Sequence, residues 1–69
     1  MEYWLVDWDI PRERRFMFYY YLRKLKRRYN IIMSSASVLV TRERSIAEKV
    51  YRLATKYGKA NLYRAEKIA

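Results

Sequence analysis

The sequence predicts a small α+β domain, and three patterns support this prediction. Residues 2–10 alternate between two faces with the period of a β-strand. Residues 12–28 contain no glycine or proline and are rich in residues that favour helices. Ser45 is followed three residues later by Glu48, which is the spacing of a capping box at the start of a second helix. We therefore expect one mixed domain over residues 1–69.

The first predicted strand has one apolar face and one mixed face. Pro11 ends it, because proline lacks the N–H of a strand ladder and suits the first turn of a helix. We expect the helices to cover the apolar face and the mixed face to stay open. The apolar face consists of Trp4, Val6, Trp8 and Ile10, and the mixed face of Tyr3, Leu5, Asp7 and Asp9.

The first predicted helix, residues 12–28, carries more aromatic side chains than one core can hold. At 100° per residue its aromatic and charged residues divide between two sides. The aromatic-rich run over residues 16–22 therefore cannot pack entirely into one core, and we expect Phe16 and Tyr20 to be exposed. The first side contains Phe18, Tyr21, Leu22, Leu25 and Tyr29, and the second Phe16, Tyr19, Tyr20, Arg23 and Arg27.

The remaining elements are shorter. Residues 29–41 fit two short strands joined by a turn, or one bent strand. The second helix follows Ser45 and ends at Gly58, where we expect a left-handed cap. A last strand is predicted over residues 60–66. The order strand, helix, strand, strand, helix, strand suggests a ferredoxin-like βαββαβ fold, with one antiparallel sheet and both helices on one face.

Composition limits the function. The chain has 16 Lys and Arg against 7 Asp and Glu, a net charge of +9 that attracts polyanions such as nucleic acids. Because Cys and His are both absent, a zinc cluster and a catalytic triad are excluded.

With no apolar run long enough for a membrane span, we expect a cytoplasmic protein and no membrane partner. The scarcity of Gly and Gln is typical of thermophilic proteins.

Asp7 and Asp9 are the candidate metal ligands. They are two residues apart on one strand face, so their Cα atoms lie about 6.6 Å apart. Two carboxylates at this spacing repel each other and need a cation, and Mg²⁺ often uses one or two carboxylates together with phosphate oxygens. The alternative is structural: Asp9 caps the first helix while Asp7 pairs with an arginine.

Arginine and lysine cluster at both ends of the first helix. Cations at the C-terminal end favour the helix dipole, whereas Arg12, Arg14 and Arg15 stand at the unfavourable positive end and point to phosphate recognition. The alternative for these three is a solvated surface paired with nearby acids. The candidate nucleic-acid-binding residues are Arg12, Arg14, Arg15, Arg23, Arg27 and Arg28.

The exposed aromatics of the first helix have two interpretations. Phe16 and Tyr20 share a stripe with Arg23 and Arg27, an arrangement similar to a stacking platform for single-stranded nucleic acid. Packing against another helix or subunit is the alternative. The surplus of aromatic and apolar surface favours a homodimer that forms through the open sheet face.

The tetrapeptide Trp8-Asp9-Ile10-Pro11, followed at once by an arginine-rich helix, resembles the small dimeric CRISPR-associated protein that partners the integrase during spacer acquisition. Residues 37–39, Ser-Val-Leu, look like the Ser-Val-aromatic segment of that family with leucine in place of the aromatic. The likeness covers nearly the whole chain in the order of its elements. The fifth strand of the family is missing or reduced to residues 67–69, so a stand-alone virus- or plasmid-encoded relative fits equally well.

The resemblance implies a ferredoxin-like homodimer. In that family the aspartate that matches Asp9 lies at the two-fold axis as a metal ligand, and residues that match Arg12, Arg14 and Arg15 meet nucleic acid. The leading hypothesis is therefore a DNA- or RNA-binding homodimer in which Asp9 is the catalytic residue of a Mg²⁺-dependent nuclease, with Asp7 as a second ligand and a CRISPR integrase as a further partner. A non-catalytic nucleic-acid-binding module and a structural assembly protein are the alternatives.

Overall fold

The computed structural model describes residues 2–29, 31 and 33–66, with the backbone alone for Met33. Residues 67–69, where the remnant of a fifth strand was expected, lie outside this description. The α+β class is confirmed, and two short strands rather than one bent strand occupy residues 29–41. The elements are β1 (Glu2–Asp9), a 3₁₀ turn (Arg12–Arg14), α1 (Arg15–Arg28), β2 (Met33–Ser34), β3 (Val38–Thr41), α2 (Arg44–Tyr57) and β4 (Lys59–Glu66).

Strand β1 is the centre of an antiparallel sheet with the strand order β2-β3-β1-β4. It pairs with β4 along its whole length, from Glu2 opposite Glu66 to Asp9 opposite Lys59. On its other side it pairs with β3, and the two-residue β2 completes the edge. An antiparallel sheet with two helices is compatible with a small ferredoxin-like fold.

The hydrophobic core lies between the sheet and both helices, as the apolar face of β1 predicts. Val6 and Trp8 of β1 pack with Phe18 of α1 and Val50 of α2 in one buried cluster. The Trp8 and Phe18 rings meet edge to face, with centroids 5.2 Å apart. Burying side chains of this size stabilises a fold by about 1.5–3 kcal/mol each, so this cluster holds the helices on one face of the sheet.

The Trp8 side chain also anchors the β2–β3 turn. Its indole N–H lies 3.2 Å from both the Tyr19 hydroxyl and the Ala36 carbonyl oxygen, and the Tyr19 hydroxyl donates to the same carbonyl. Tyr19 is half-buried, although it lies on the side of α1 that the helical period places away from Phe18 and Leu22. Periodicity could not anticipate this, because the partner of Tyr19 is a turn carbonyl 17 residues away.

The predicted capping box does not form. Helix α2 begins at Arg44, before Ser45, and its cap residue Glu43 makes no side-chain hydrogen bond to the helix. The Glu43 N–H donates instead to the buried Thr41 Oγ1 at 3.2 Å. Glu48 binds Arg44 one turn earlier at 2.9 Å. The buried threonine and this ion pair thus stabilise a helix start two residues earlier than a cap at Ser45 predicts.

Gly58 follows α2, but the predicted left-handed cap was wrong. Its φ of −172° and ψ of −145° are extended backbone that any residue can adopt. Glycine is needed for space: a Cβ here would collide with the Asp9 carbonyl oxygen and lie 2.9 Å from the Ile10 Cα. The chain therefore crosses the end of β1 too closely for any side chain.

We expect Gly58→Ala to lower the free energy of unfolding by about 1–3 kcal/mol, because backbone atoms must move to admit the methyl group. Urea denaturation followed by circular dichroism measures the change. Lys56→Ala, an exposed change two residues earlier, is the control and should stay within about 0.5 kcal/mol. A Gly58→Ala protein as stable as the parent would contradict this packing argument.

Candidate nucleic-acid interface

Asp7 and Asp9 lie next to each other on the open sheet face, but in different surroundings. The Asn61 side-chain amide donates to Asp7 Oδ1 at 2.9 Å across the β1–β4 pair, and among the described residues Asp7 forms no ion pair with an arginine. Asp9 is exposed and stands opposite Lys59. It does not cap the first helix, since the 3₁₀ turn begins after Pro11 without a side-chain hydrogen bond. Within the described residues, no hydrogen bond or ion pair holds the Asp9 carboxylate.

A metal site in a single chain would have few protein ligands. In the part of the chain that the structure describes, no group of three or more acidic, histidine or cysteine residues comes together. Asp9 can offer its carboxylate, while Asp7 already shares one oxygen with Asn61. Such a donor set fits a hydrated Mg²⁺ that takes most of its ligands from water, phosphate or a second protomer.

The three arginines that follow Pro11 do not act as one group. Arg12 and Arg14 are exposed in the 3₁₀ turn. The Arg15 guanidinium donates from Nε to the Ile10 carbonyl oxygen at 3.0 Å and ties the start of α1 to the end of β1. Arg15 also lines a cleft of about 430 Å³ beside Asp9 and Tyr19. Arg15 is therefore partly structural, whereas Arg12 and Arg14 form no side-chain hydrogen bond or ion pair among the described residues.

The basic residues near the end of α1 divide between two depressions. Arg23 and Arg27 line a shallow cleft of about 340 Å³ together with Tyr20 and Lys24. Arg28 faces the other side, toward α2. The six predicted nucleic-acid-binding residues therefore lie at the edges of a larger basic surface and do not form one compact site.

Five cations line a groove between α1 and α2, which we call the interhelical groove. Its volume is about 420 Å³, its floor is apolar, and its rims are basic on both sides. The floor and walls consist of Tyr21, Leu25, Leu53 and Tyr57, and the rims of Lys24 and Arg28 on α1 and Lys49, Arg52 and Lys56 on α2.

The rims of the interhelical groove carry positive charge without a matching acid. Lys24 and Arg28 are four residues apart on α1, as are Arg52 and Lys56 on α2, and like charges at this spacing repel. The ion pairs of the described residues, Arg44 with Glu48 and Arg64 with Glu2, involve none of these five side chains. All seven acids of the chain lie outside residues 14–42 and 49–65. An anionic ligand would relieve this repulsion.

Sequence reasoning missed the α2 half of the groove. Lys49, Arg52 and Lys56 follow one another at helical spacings of three and four, a signal that was available in the sequence. Its meaning depends on which helix lies opposite, because the same residues on an isolated helix are an ordinary solvated face. The pattern indicates a basic groove only because α1 packs against α2.

Tyrosines accompany the cations on this surface. Tyr20 is 42% exposed, with the Lys24 ammonium 4.6 Å from its ring centroid. Tyr21 meets Tyr20 edge to face and stacks on Tyr57 across the groove, with ring centroids 6.5 Å apart and planes inclined by 23°. Phe16 is 73% exposed but does not line the groove or the shallow cleft. The exposed rings of Tyr20 and Tyr21 thus lie beside the cation Lys24.

A hydrogen bond joins the two helices near the end of the groove. The Lys49 ammonium donates to the Tyr29 hydroxyl at 2.7 Å and lies over the Tyr29 ring. This hydrogen bond, with the positive charges of Lys49 and Arg28, lowers the pKa of the Tyr29 hydroxyl below its usual value. The contact fixes one rim residue relative to α1.

The open face of the sheet is apolar at its centre. Leu5 of β1 stands between Val40 of β3 and Tyr63 of β4, and Val38 is opposite Asp7. Leu5, Val38 and Val40 are half-buried, and Tyr63 is 47% exposed. These four side chains form a continuous stripe across three strands, which we call the open-face stripe.

Comparison with known proteins identifies no relative: no protein-family model, no curated protein and no solved structure matches the chain. Among the described residues, no helix is both long and apolar enough to cross a membrane.

Proposed function

We propose that the chain is a nucleic-acid-binding protein. The observation that carries this proposal is the interhelical groove, where five cations surround an apolar, tyrosine-containing floor with no acid among the lining residues. Phosphate groups supply the missing negative charge, and bases supply a partner for the apolar floor. Arg12 and Arg14, exposed on the same chain, extend the positive surface available to the nucleic-acid backbone.

The proposal includes a ferredoxin-like homodimer that forms through the open sheet face. The sheet order and the two helices support the fold, and the open-face stripe supplies an apolar surface that a second copy can cover. The partners are then a second copy of the chain and DNA or RNA. For a chain that works in CRISPR adaptation, as the resemblance at residues 8–11 suggests, the integrase is a further partner.

We expect a dimer mass by light scattering at micromolar concentration, and a monomer mass for Leu5→Arg, because a charge at the centre of the open-face stripe opposes its burial. Thr55→Arg, which adds the same charge on the exposed side of α2, is the control and should remain dimeric. A monomer mass for the unaltered protein would by itself contradict the dimer proposal, whatever the variants do.

We expect nucleic-acid affinity to fall steeply with salt. If all five groove cations neutralise phosphates, log affinity should fall with log salt with a slope of about −3.5 to −4.5. Fluorescence anisotropy of labelled DNA and RNA at several salt concentrations measures the slope. No measurable binding at low salt, or binding that salt leaves unchanged, would overturn the proposed function.

A metal-dependent nuclease is the second candidate, and the exposed Asp9 carboxylate without a partner among the described residues favours it. In a two-fold dimer each chain would contribute one Asp9, and Asp7 would be a second ligand. When bound, Mg²⁺ would activate water and stabilise the leaving oxygen of a phosphodiester. The role of this chain would be to hold the Asp9 carboxylate beside the nucleic-acid backbone.

We expect Mg²⁺ to raise the melting temperature of the unaltered protein and to leave that of Asp9→Asn unmoved. The reason is linkage: a ligand at 100 times its dissociation constant stabilises the folded state by about 2.7 kcal/mol. Glu13→Gln, which removes another exposed carboxylate, should keep the Mg²⁺ response. Any Mg²⁺-dependent cleavage must vanish in Asp9→Asn while affinity for nucleic acid survives. Cleavage at the unaltered rate in that variant would show that Asp9 is not the catalytic residue.

A further inference from the structure

We infer that the helical surface is a track for single-stranded nucleic acid, in which Tyr20 and Tyr21 stack on bases while the groove cations hold the phosphates. This inference rests on the proposed function and names its ligand class. The track consists of the shallow cleft beside Tyr20, the Tyr20–Tyr21 pair, and the interhelical groove.

Lys24 makes the track continuous. Its side chain lines both the shallow cleft and the interhelical groove, and its ammonium lies 4.6 Å from the Tyr20 ring centroid and 5.9 Å from that of Tyr21. The cations of the shallow cleft, Arg23 and Arg27, thus adjoin the α1 rim of the groove. A strand that leaves one depression enters the other without passing an acidic side chain.

The chemistry of the track matches a single strand better than a duplex. Proteins that bind single strands combine a basic groove along the backbone with aromatic rings on which bases stack. Tyr20 and Tyr21 are 42% and 38% exposed, so part of each ring is open to a base. A duplex keeps its bases paired inside, and its phosphates would meet the rims but leave the tyrosines and the apolar floor without a partner.

The dimensions fit a short stretch of chain. Helix α1 has 14 residues and is about 21 Å long, so the track accommodates a few nucleotides. A groove of about 420 Å³ lies within the usual size of small-ligand sites. The two rims lie on separate helices, so phosphates can be held from both sides.

The first experiment removes charge from the groove. Arg52→Gln/Lys56→Gln takes two cations from the α2 rim and keeps good helix-forming residues, so the fold should persist by circular dichroism. The control Arg42→Gln/Lys59→Gln removes the same charge away from the track: Arg42 lies over Tyr3, and Lys59 is opposite Asp9. With a labelled single strand of about 12 nucleotides, the groove variant should lose at least tenfold in affinity, and the control less than threefold.

The second experiment separates base stacking from phosphate binding. The same strand is prepared with and without its bases, the abasic form keeping every phosphate. The unaltered protein should bind the complete strand at least about fivefold more tightly, since one stacked base is worth that much or more. Tyr20→Leu should abolish this preference. Phe16→Leu, which removes an exposed aromatic outside the track, should keep it.

The outcomes distinguish this inference from the proposed function. Absence of binding to every single and double strand would overturn both. The track alone would be overturned if the groove variant lost no more affinity than the control variant. It would also be overturned if Arg12→Gln/Arg14→Gln lost the affinity instead of the groove variant. A duplex bound more tightly than the single strand, or equal binding of the complete and abasic strands, would likewise overturn the track and leave nucleic-acid binding in place.

Discussion

The packing of β1 against the two helices is the constraint on which the molecule depends. A chain of 69 residues has one core, and that core is built on Val6 and Trp8 with Phe18 and Val50 around them. The strict alternation of β1 sends every second side chain into this core and the others to the open face. Because the interior has no room for charge, all cations of the helices must lie on their outer surfaces.

This constraint separates the molecule into two unlike sides. The outer side of the helices is cationic and aromatic, while the open sheet face has the apolar open-face stripe flanked by Asp7 and Asp9. The segregation follows from where acids stand in the sequence: Asp7 and Asp9 lie on the open face of β1, and no acid lies in residues 14–42. The proposed nucleic-acid surface and the proposed dimer surface therefore lie on opposite sides of the sheet.

The elements could be predicted from the sequence where a local period dominates, as in β1 and in the buried stripe of α1 at Phe18 and Leu22. Prediction failed where the local structure depends on a contact with a residue that lies elsewhere in the chain or on another element. Ser45 is not a cap because α2 already begins at Arg44, next to Glu43, whose N–H donates to the buried Thr41. Gly58 is required by the close approach of the backbone at Asp9 rather than by its own dihedral angles. The groove shared by α1 and α2 was missed for the same reason, since no single helix reveals what lies opposite.

Among the described residues, none has a positive φ and no peptide bond is cis, although the chain makes tight connections with a single glycine. Its turns therefore use backbone conformations that nearly all amino acids can adopt. With Gly58 excepted, because a side chain does not fit there, the turn residues of this fold can change without strain, which removes the glycine and asparagine landmarks by which turns are usually aligned. Sequence divergence in this fold can consequently run far ahead of structural divergence.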